Sequence, residues 1–193
     1  MNAVAERICA RRVVAILRCA EPARVGTAVI EGGVDVVEVP LNVPGALEVI
    51  SSLSRSFPSA LVGAGTVMST ADARAALDAG ARFLLSPVLR PEIIDAAHEA
   101  GAAAIPGAFT PTEIDACVRA GADLVKLFPA DRLTPADLRT LLAALPDAKL
   151  LPTGGITAAT AAEWLAAGAV AVGVGSALTR EPERATEFAA LAR

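Results

Sequence analysis

The chain has 193 residues, of which 54% are hydrophobic and 20% charged, and its formal net charge is −4. A chain of this length buries about 70% of its unfolded surface, so we expect a single domain over residues 1–193 that needs no disulfide or metal for stability. The mild acidity, the scattered arginines and the 3% of aromatic residues argue against a nucleic-acid partner.

The N-terminal segment and the cysteines indicate where the protein resides. Residues 1–12 (MNAVAERICARR) carry charges where a signal peptide needs an apolar stretch, and no run approaches the ~20 apolar residues of a membrane span. The three cysteines, Cys9, Cys19 and Cys117, form no CxxC pair, which is typical of reduced thiols that serve in packing. We therefore expect a cytoplasmic protein without a membrane partner.

A repeated pattern predicts most of the secondary structure. Five times an Ala-rich amphipathic helix ends at a glycine and a short apolar strand follows; these glycines are Gly33, Gly80, Gly101, Gly121 and Gly168. Glycine at this position supplies the left-handed conformation that ends a helix. Three more strands are predicted at 13–18 (VVAILR), 61–66 (LVGAGT) and 149–155 (KLLPTGG). The sequence thus predicts eight strands, each followed by a segment compatible with a helix.

Strands that are apolar on both faces and alternate with helices are typical of a buried parallel sheet in an α/β fold. Eight such units predict a single (β/α)8 TIM barrel at the small end of its class. An open, doubly wound sheet is the structural alternative. A solenoid is disfavoured because the units lack a fixed consensus.

In both α/β architectures, ligands bind where the strands end, and polar and glycine residues concentrate there. The predicted strand ends are, in chain order, Arg18, 38–42 (EVPLN), 63–66 (GAGT), 86–87 (SP), 106–107 (PG), 126–129 (KLFP), 152–155 (PTGG) and 173–176 (GVGS). The turn at 63–66 suits a small carboxylate, and Arg18 either supports the same anion or lies at the rim.

Glu38 and Lys126 each place a charge within an apolar strand, and Lys126 is one of only two lysines in the chain. If Val125 and Leu127 cover the helix-facing side of the strand, alternation points the Lys126 amine into the barrel. Desolvation there lowers the amine's pKa toward a nucleophilic range, although a buried ion pair is the structural alternative. Strands two and six face each other across a barrel, so Glu38 is expected to act there as ion-pair partner or proton carrier.

The last two strands end in glycine-rich turns, at 152–156 (PTGGI) and 172–178 (VGVGSAL). Such turns expose backbone N–H groups, and loops seven and eight commonly bind phosphate in this barrel. Two ordinary tight turns are the alternative.

The chain has a single histidine, His98, which lies in a predicted helix and is expected at the surface. Having one histidine excludes most zinc sites and every Ser/His or Cys/His pair that does not use His98.

The sequence closely resembles the class I 2-keto-3-deoxy-6-phosphogluconate aldolase family, which includes the 4-hydroxy-2-oxoglutarate and 6-phosphogalactonate aldolases. The resemblance covers about residues 12–180 and rests on the motifs VVAILR at 13–18, VVEVPLN at 36–42, VGAGTV at 62–67, LSP at 85–87, IPG at 105–107, VKLFPA at 125–130, PTGGI at 152–156 and GVGS at 173–176. It implies a homotrimer that needs no metal or other cofactor and takes a phosphorylated keto-acid substrate.

The resemblance also implies roles for individual residues. Lys126 is similar to the Schiff-base lysine and Glu38 to the proton-transfer carboxylate. The matching binding residues are Gly65 and Thr66 for the pyruvate carboxylate, Pro87 and Phe128 for the pocket wall, Thr153 for the aldehyde half, and Gly154, Gly155, Gly175 and Ser176 for the phosphate.

Two positions differ in the substrate that they indicate. Asn42 in EVPLN matches the galactonate-type pattern, where gluconate-type enzymes carry an arginine, whereas Thr153 matches the gluconate-type PTGG. With Asn42 in place of that arginine, Arg18 becomes the better candidate for the substrate carboxylate. The implied reaction yields pyruvate and glyceraldehyde 3-phosphate, or pyruvate and glyoxylate from 4-hydroxy-2-oxoglutarate. The functional alternatives are a phosphosugar isomerase or epimerase on the same barrel and a non-catalytic phosphometabolite binder.

Overall fold

The computed structural model describes residues 2–192, in which strands and helices alternate. The strands in this range are Val13–Ile16 (β1), Val36–Pro40 (β2), Leu61–Gly65 (β3), Phe83–Leu85 (β4), Ala103–Ile105 (β5), Gly107–Ala108 (β6), Val125–Leu127 (β7), Leu150–Pro152 (β8) and Val172–Val174 (β9). The α-helices in the same range are Ala3–Arg11 (α1), Pro22–Glu31 (α2), Ala46–Ser56 (α3), Thr70–Asp78 (α4), Pro91–Glu99 (α5), Pro111–Arg119 (α6), Pro135–Ala144 (α7), Ala158–Ala166 (α8), Ser176–Arg180 (α9) and Ala185–Ala189 (α10). Short 3-10 turns occupy Ala130–Arg132, Pro182–Arg184 and Ala190–Ala192.

The paired strands are parallel and fall into two sheets. One has the order β5-β4-β3-β2-β1-β9 and the other the order β6-β7-β8. The predicted α/β class with a parallel sheet is confirmed. Where the sequence predicts one strand, the chain forms β5 and β6, because Pro106 lies between them and has no N–H to continue the ladder.

Two contacts relate the sheets to each other. The Lys126 backbone N–H donates to the Pro106 carbonyl over 2.9 Å, so β7 lies beside the junction of β5 and β6. On the other side, an isolated parallel bridge joins Thr153, which follows β8, to Gly173 in β9. Both edges of the three-stranded sheet therefore approach the six-stranded one.

Apolar side chains pack in two layers, one on each face of the strands. Val125 and Leu127 belong to the large cluster between the strands and the helices, whereas Leu124 belongs to a smaller cluster on the opposite face. Val4 and Ile8 of α1 complete this inner cluster. The prediction that Val125 and Leu127 cover the helix-facing side is confirmed, so Lys126 lies on the inner face.

Five helices end two residues before the glycines that the sequence predicts as their ends. All five glycines of the repeated pattern have positive φ, from 69° at Gly101 to 109° at Gly168. Three helices, α6, α7 and α8, start with a capping box whose N-cap residues are Thr110, Thr134 and Thr157. These local signals fix where each helix ends and the next strand begins.

The remaining predictions from single residues concern surface and packing. His98 is exposed, and its Nε2 lies 2.9 Å from Asp123 Oδ2. Cys117 is buried and Cys9 and Cys19 are half-buried, all three as free thiols.

Between residues 2 and 192, none of the helices combines the length and the apolar character that crossing a membrane requires.

Candidate active site

Lys126 lies in the middle of β7, where the inner face of the sheet meets a cavity. Only 5% of the residue is exposed, and its Nζ lies 4.8 Å from the centre of the Phe128 ring. Burial lowers the pKa of the Lys126 amine; the Glu38 carboxylate opposes this shift and the Arg18 charge adds to it. The aromatic face of Phe128 favours the charged amine, but desolvation is the larger effect. The neutral form of the Lys126 amine is therefore more populated than it would be in water.

Glu38 lies in β2 and is 1% exposed. Its Oε2 has no hydrogen-bond partner among the described residues, and a Cβ on Gly65 would overlap Oε1. Gly65 is therefore the residue that leaves room for this carboxylate. Burial raises the pKa of Glu38, against the opposing charges of Lys126 and Arg18.

Glu38 and Lys126 form an electrostatically coupled pair, because each charge shifts the other's pKa. A carboxyl with a raised pKa can donate a proton near neutral pH, and an amine with a lowered pKa can attack a carbonyl. The unpartnered Glu38 Oε2 leaves one oxygen available for proton transfer. The pair thus combines a nucleophile with an acid–base group.

Arg18 and Thr66 form a second polar feature at the ends of β1 and β3. Arg18 Nη2 donates to Thr66 Oγ1 over 3.2 Å. Thr66 has a φ of 58°, a left-handed conformation that is uncommon outside glycine, in the turn that follows Gly65. Arg18 and Lys126 line the same cavity, so an anion bound there can contact the guanidinium beside the amine.

A cavity of about 350 Å³ opens at the ends of the strands. Its lining residues are Ile16, Arg18, Lys126, Phe128, Thr153, Gly154, Gly155, Ile156, Gly175, Ser176, Thr179 and Arg180. Eight of these were predicted as site residues, including the Schiff-base candidate and the whole predicted phosphate site. Three of the lining side chains are cationic and none is a carboxylate, so the cavity suits an anionic ligand.

The other predicted site residues lie outside this lining. Glu38 and Gly65 are buried next to each other. Neither lines the cavity, but the charge of Glu38 acts on Lys126, which does. Pro87 is half-buried, with its backbone against Gly107. Asn42 is exposed in the turn after β2. The structure therefore brings the amine, the carboxylate and the glycine turns together but leaves Asn42 apart.

Thr179 and Arg180 line the cavity and were not predicted. They follow Ser176 by three and four residues in α9, so they share a helix face with it. That spacing is the signal that points to them, since a helix starting at a strand end presents its i, i+3 and i+4 side chains on one side.

Comparisons with known proteins agree with this geometry. Residues 4–191 match the family described as KDPG and KHG aldolase. The chain is 38% identical to a probable 2-dehydro-3-deoxy-6-phosphogalactonate aldolase of Rhizobium meliloti (strain 1021), over 87% of this chain and 82% of that one. It is 36% identical to the 2-dehydro-3-deoxy-6-phosphogalactonate aldolase of Escherichia coli (strain K12), over 87% and 84% of the two chains.

A solved structure extends the likeness to the fold. It is a KDPG aldolase from Legionella pneumophila with pyruvate captured at low pH as a covalent carbinolamine intermediate, similar to this chain with a TM-score of 0.81 at 29% identity over 97% of this chain and 95% of that one. Relatives above 30% identity and a match over nearly the whole chain confirm the family and the aldolase activity that the sequence predicts. This chain belongs to the KDPG and KHG aldolase family.

Proposed function

We propose that the chain cleaves a phosphorylated 2-keto-3-deoxy acid into pyruvate and glyceraldehyde 3-phosphate through a Schiff base on Lys126. The observation that carries this proposal is the nearly buried Lys126 amine, with a lowered pKa, at a cavity whose lining holds basic side chains and no carboxylate. The carbinolamine captured with pyruvate in the Legionella enzyme is the kind of intermediate that such an amine forms.

The reaction starts at the ketone. The neutral Nζ of Lys126 attacks C2, and the ketone oxygen leaves as water after it takes one proton from Nζ and one from protonated Glu38. The resulting iminium is positively charged and accepts the electron pair of the C3–C4 bond as that bond breaks. The C4 hydroxyl loses its proton to the carboxylate of Glu38, and glyceraldehyde 3-phosphate leaves.

The second half regenerates the amine. Glu38 returns its proton to C3 of the enamine, and water adds to the iminium carbon as it gives one proton to the Glu38 carboxylate. The carbinolamine then collapses to release pyruvate and the neutral Lys126 amine. One carboxyl thus serves each proton transfer in turn, which its raised pKa and its unpartnered oxygen support.

The ends of the substrate are bound by different groups in this proposal. Arg18, with Gly65 and Thr66, binds the carboxylate next to the ketone, since Arg18 lies beside the amine and contacts Thr66. The backbone N–H groups of the turns at 154–155 and 175–176 bind the phosphate. Holding both ends fixes the scissile bond against Lys126 and Glu38.

Further predicted contacts belong to the same proposal. Phe128 and Thr153 lie in the cavity lining; Thr153 contacts the aldehyde half, and Phe128 forms the pocket wall together with Pro87. Asn42 and the names of the two relatives favour the galactonate epimer, whereas Thr153 favours the gluconate epimer. Measuring kcat/KM on both epimers and on 4-hydroxy-2-oxoglutarate decides the preferred substrate.

Trapping with pyruvate and borohydride tests the mechanism. We expect mass spectrometry to find one reduced pyruvate adduct, on Lys126, and Lys126→Met to lose both the adduct and cleavage. Lys149→Met is the matched control and keeps both. An enzyme that forms no adduct and interconverts phosphosugars instead would be an isomerase or epimerase, and one that only binds the substrate would be a metabolite-binding protein.

We further propose that residues 1–193 form one closed (β/α)8 barrel and that three copies assemble. Two contacts support closure: the hydrogen bond from Lys126 of β7 to Pro106, which joins β5 to β6, and the bridge from Thr153, after β8, to Gly173 of β9. The homotrimer rests on family membership, and a monomeric sedimentation profile would refute it. Three free thiols support a cytoplasmic location.

A further inference from the structure

Arg180 is a cation in the cavity that the proposed mechanism leaves unused. It ends α9, is exposed, and lines the cavity together with Thr179 and Ser176. Among the described residues, the ion pairs and side-chain hydrogen bonds do not include Arg180. By contrast, Arg184 in the following turn is held at 3.2 Å by Glu181 and at 2.9 Å by Glu187.

Arg180 and Arg18 serve different ends of the cavity. The charge of Arg18 acts on the pKa of both Lys126 and Glu38, whereas Arg180 contributes to neither. Arg18 is also tied to Thr66 near the amine. Arg180 ends α9, the helix that starts at the glycine turn of 175–176, so its guanidinium lies on the side of the cavity where that turn lies.

Two features make this end suited to a phosphate dianion. The backbone turns at 154–155 supply neutral N–H donors, and Gly154 has a φ of 112° that a side chain would strain. Arg180 adds a guanidinium, whose planar fork binds two phosphate oxygens at once. Thr179, one residue earlier and half-buried, places a hydroxyl beside it.

We infer that Arg180 is the specificity residue that makes the enzyme prefer phosphorylated aldehydes and their aldol adducts over unphosphorylated ones. This inference rests on the proposed function. Backbone N–H groups also bind neutral hydroxyls, so they discriminate weakly between a phosphate and a hydroxymethyl group. A charged hydrogen bond from Arg180 exists only with the phosphorylated partner, so the discrimination depends on this side chain.

The experiment uses the condensation reaction, in which the two acceptors differ only by the phosphate. We compare kcat/KM for glyceraldehyde 3-phosphate and for glyceraldehyde, each with saturating pyruvate, in the unchanged enzyme and in Arg180→Gln. Gln keeps a polar side chain without the charge. We expect the preference for the phosphorylated acceptor to fall about 10- to 100-fold, mostly through KM, with the glyceraldehyde reaction unchanged.

Two further variants and an independent readout sharpen the test. Arg180→Lys retains the charge without the planar fork, so its preference should lie between the other two. Arg184→Gln is the matched control and should keep the original ratio. The inhibition constant of inorganic phosphate, measured with glyceraldehyde as acceptor, should rise in Arg180→Gln by a factor similar to the lost preference.

The outcomes separate this inference from the mechanism. If the unchanged enzyme forms no borohydride-reduced pyruvate adduct on Lys126, the proposed function itself fails. If Arg180→Gln forms the adduct and keeps its preference, the inference about Arg180 is wrong. An equal loss on both acceptors with the adduct retained also contradicts it, because a phosphate contact leaves the glyceraldehyde reaction intact.

Discussion

Lys126 and Glu38 are brought to complementary protonation states by the same physical cause. Burial disfavours the charged form of each, which lowers the pKa of the amine and raises the pKa of the carboxyl. Their mutual attraction opposes both shifts without reversing them. Near neutral pH the site is therefore better supplied with neutral amine and protonated acid than the same two groups in water.

Arg18 tunes this pair, and Arg18→Gln tests its effect. The positive charge of Arg18 lowers the pKa of Lys126, so its removal raises that pKa. Because adduct formation requires the neutral amine, the rate of pyruvate trapping rises with pH, and in the variant this rise moves to higher pH. We also expect a higher KM for pyruvate, through loss of the carboxylate contact.

Arg24→Gln is the control for this measurement, since Arg24 is exposed and pairs with Glu21 away from the cavity. Its pH profile should coincide with that of the unchanged enzyme. A profile of Arg18→Gln that stays in place or moves to lower pH would contradict the electrostatic role assigned to Arg18.

A buried lysine also carries a cost in stability, and Lys126→Met tests it. The folded-state pKa of Lys126 is below the unfolded value of 10.5. The folded form therefore suffers the full desolvation cost below the folded pKa and recovers it as pH rises to 10.5. At pH 7 we expect the variant to gain about 1–3 kcal/mol in the free energy of unfolding, measured with urea.

The gain of Lys126→Met should shrink as pH is raised toward 10.5, because the unfolded lysine then loses its charge as well. Lys149 is half-buried just before β8, and Lys149→Met should not raise the free energy of unfolding in this way. A variant at position 126 that is less stable than the unchanged protein would mean that the Lys126–Glu38 attraction outweighs desolvation.

The secondary structure was largely readable from the sequence, because its signals are local. The glycine that follows five of the helices acts on the neighbouring turn, and strand alternation predicts the direction of the Lys126 side chain. Pro106 divides a predicted strand because one missing N–H interrupts pairing, a detail that depends on the neighbouring strand.

The site could be predicted only where a residue's own strand fixes its position. The space that Gly65 leaves for Glu38 involves two strands, and the position of Arg180 depends on how α9 leaves β9. Asn42 follows a strand end, as predicted, but it is exposed and is not among the residues that line the cavity. The contact between the two strands has no signature in one sequence, whereas the spacing of Thr179 and Arg180 from Ser176 does point to that helix face.

At the scale of an element, the capping box of α6 is a local device that can be tested apart from catalysis. Thr110 Oγ1 accepts from the Glu113 N–H over 3.3 Å, and the Glu113 carboxylate accepts from the Thr110 N–H over 2.8 Å. We expect Thr110→Ala to lower the free energy of unfolding by about 1 kcal/mol without changing kcat/KM. Thr112→Ala, on the exposed first turn of the same helix, should change it by less than about 0.5 kcal/mol.

The pH dependence of this cap has a definite sign. Hydrogen bonds from the backbone N–H groups of Thr110 and Phe109 hold the pKa of Glu113 below its usual value of 4.5. The cap therefore stabilises the fold above pH 4.5, and this stabilisation is lost as pH falls through the lower folded value. The loss of stability in Glu113→Ala relative to Thr112→Ala should therefore shrink in acid, and a constant loss would contradict the capping-box assignment.

At the scale of the whole molecule, α1 covers the end of the strands opposite the cavity. Its residues contact the segments that lead into the strands: the Asn2 side chain donates to the Ala102 carbonyl over 3.0 Å, and Arg7 pairs with Asp35 at 2.9 Å. The cavity instead lies where the strands end, at residues such as Thr153 and Gly175. Packing thus seals one end of the inner cluster and leaves the other open for the ligand.

Ile8 tests this division between a stabilising end and a reactive end. Its side chain is fully buried in the inner cluster, so Ile8→Ala leaves a cavity and should cost about 2–4 kcal/mol in urea unfolding. Because Ile8 belongs to the sealed end, kcat/KM measured at 25 °C on the remaining folded protein should stay within about twofold. Glu6→Ala, exposed on the same helix, should leave both quantities unchanged. A loss of activity in Ile8→Ala that exceeds its unfolded fraction would show instead that α1 positions the residues around Lys126 through the inner cluster.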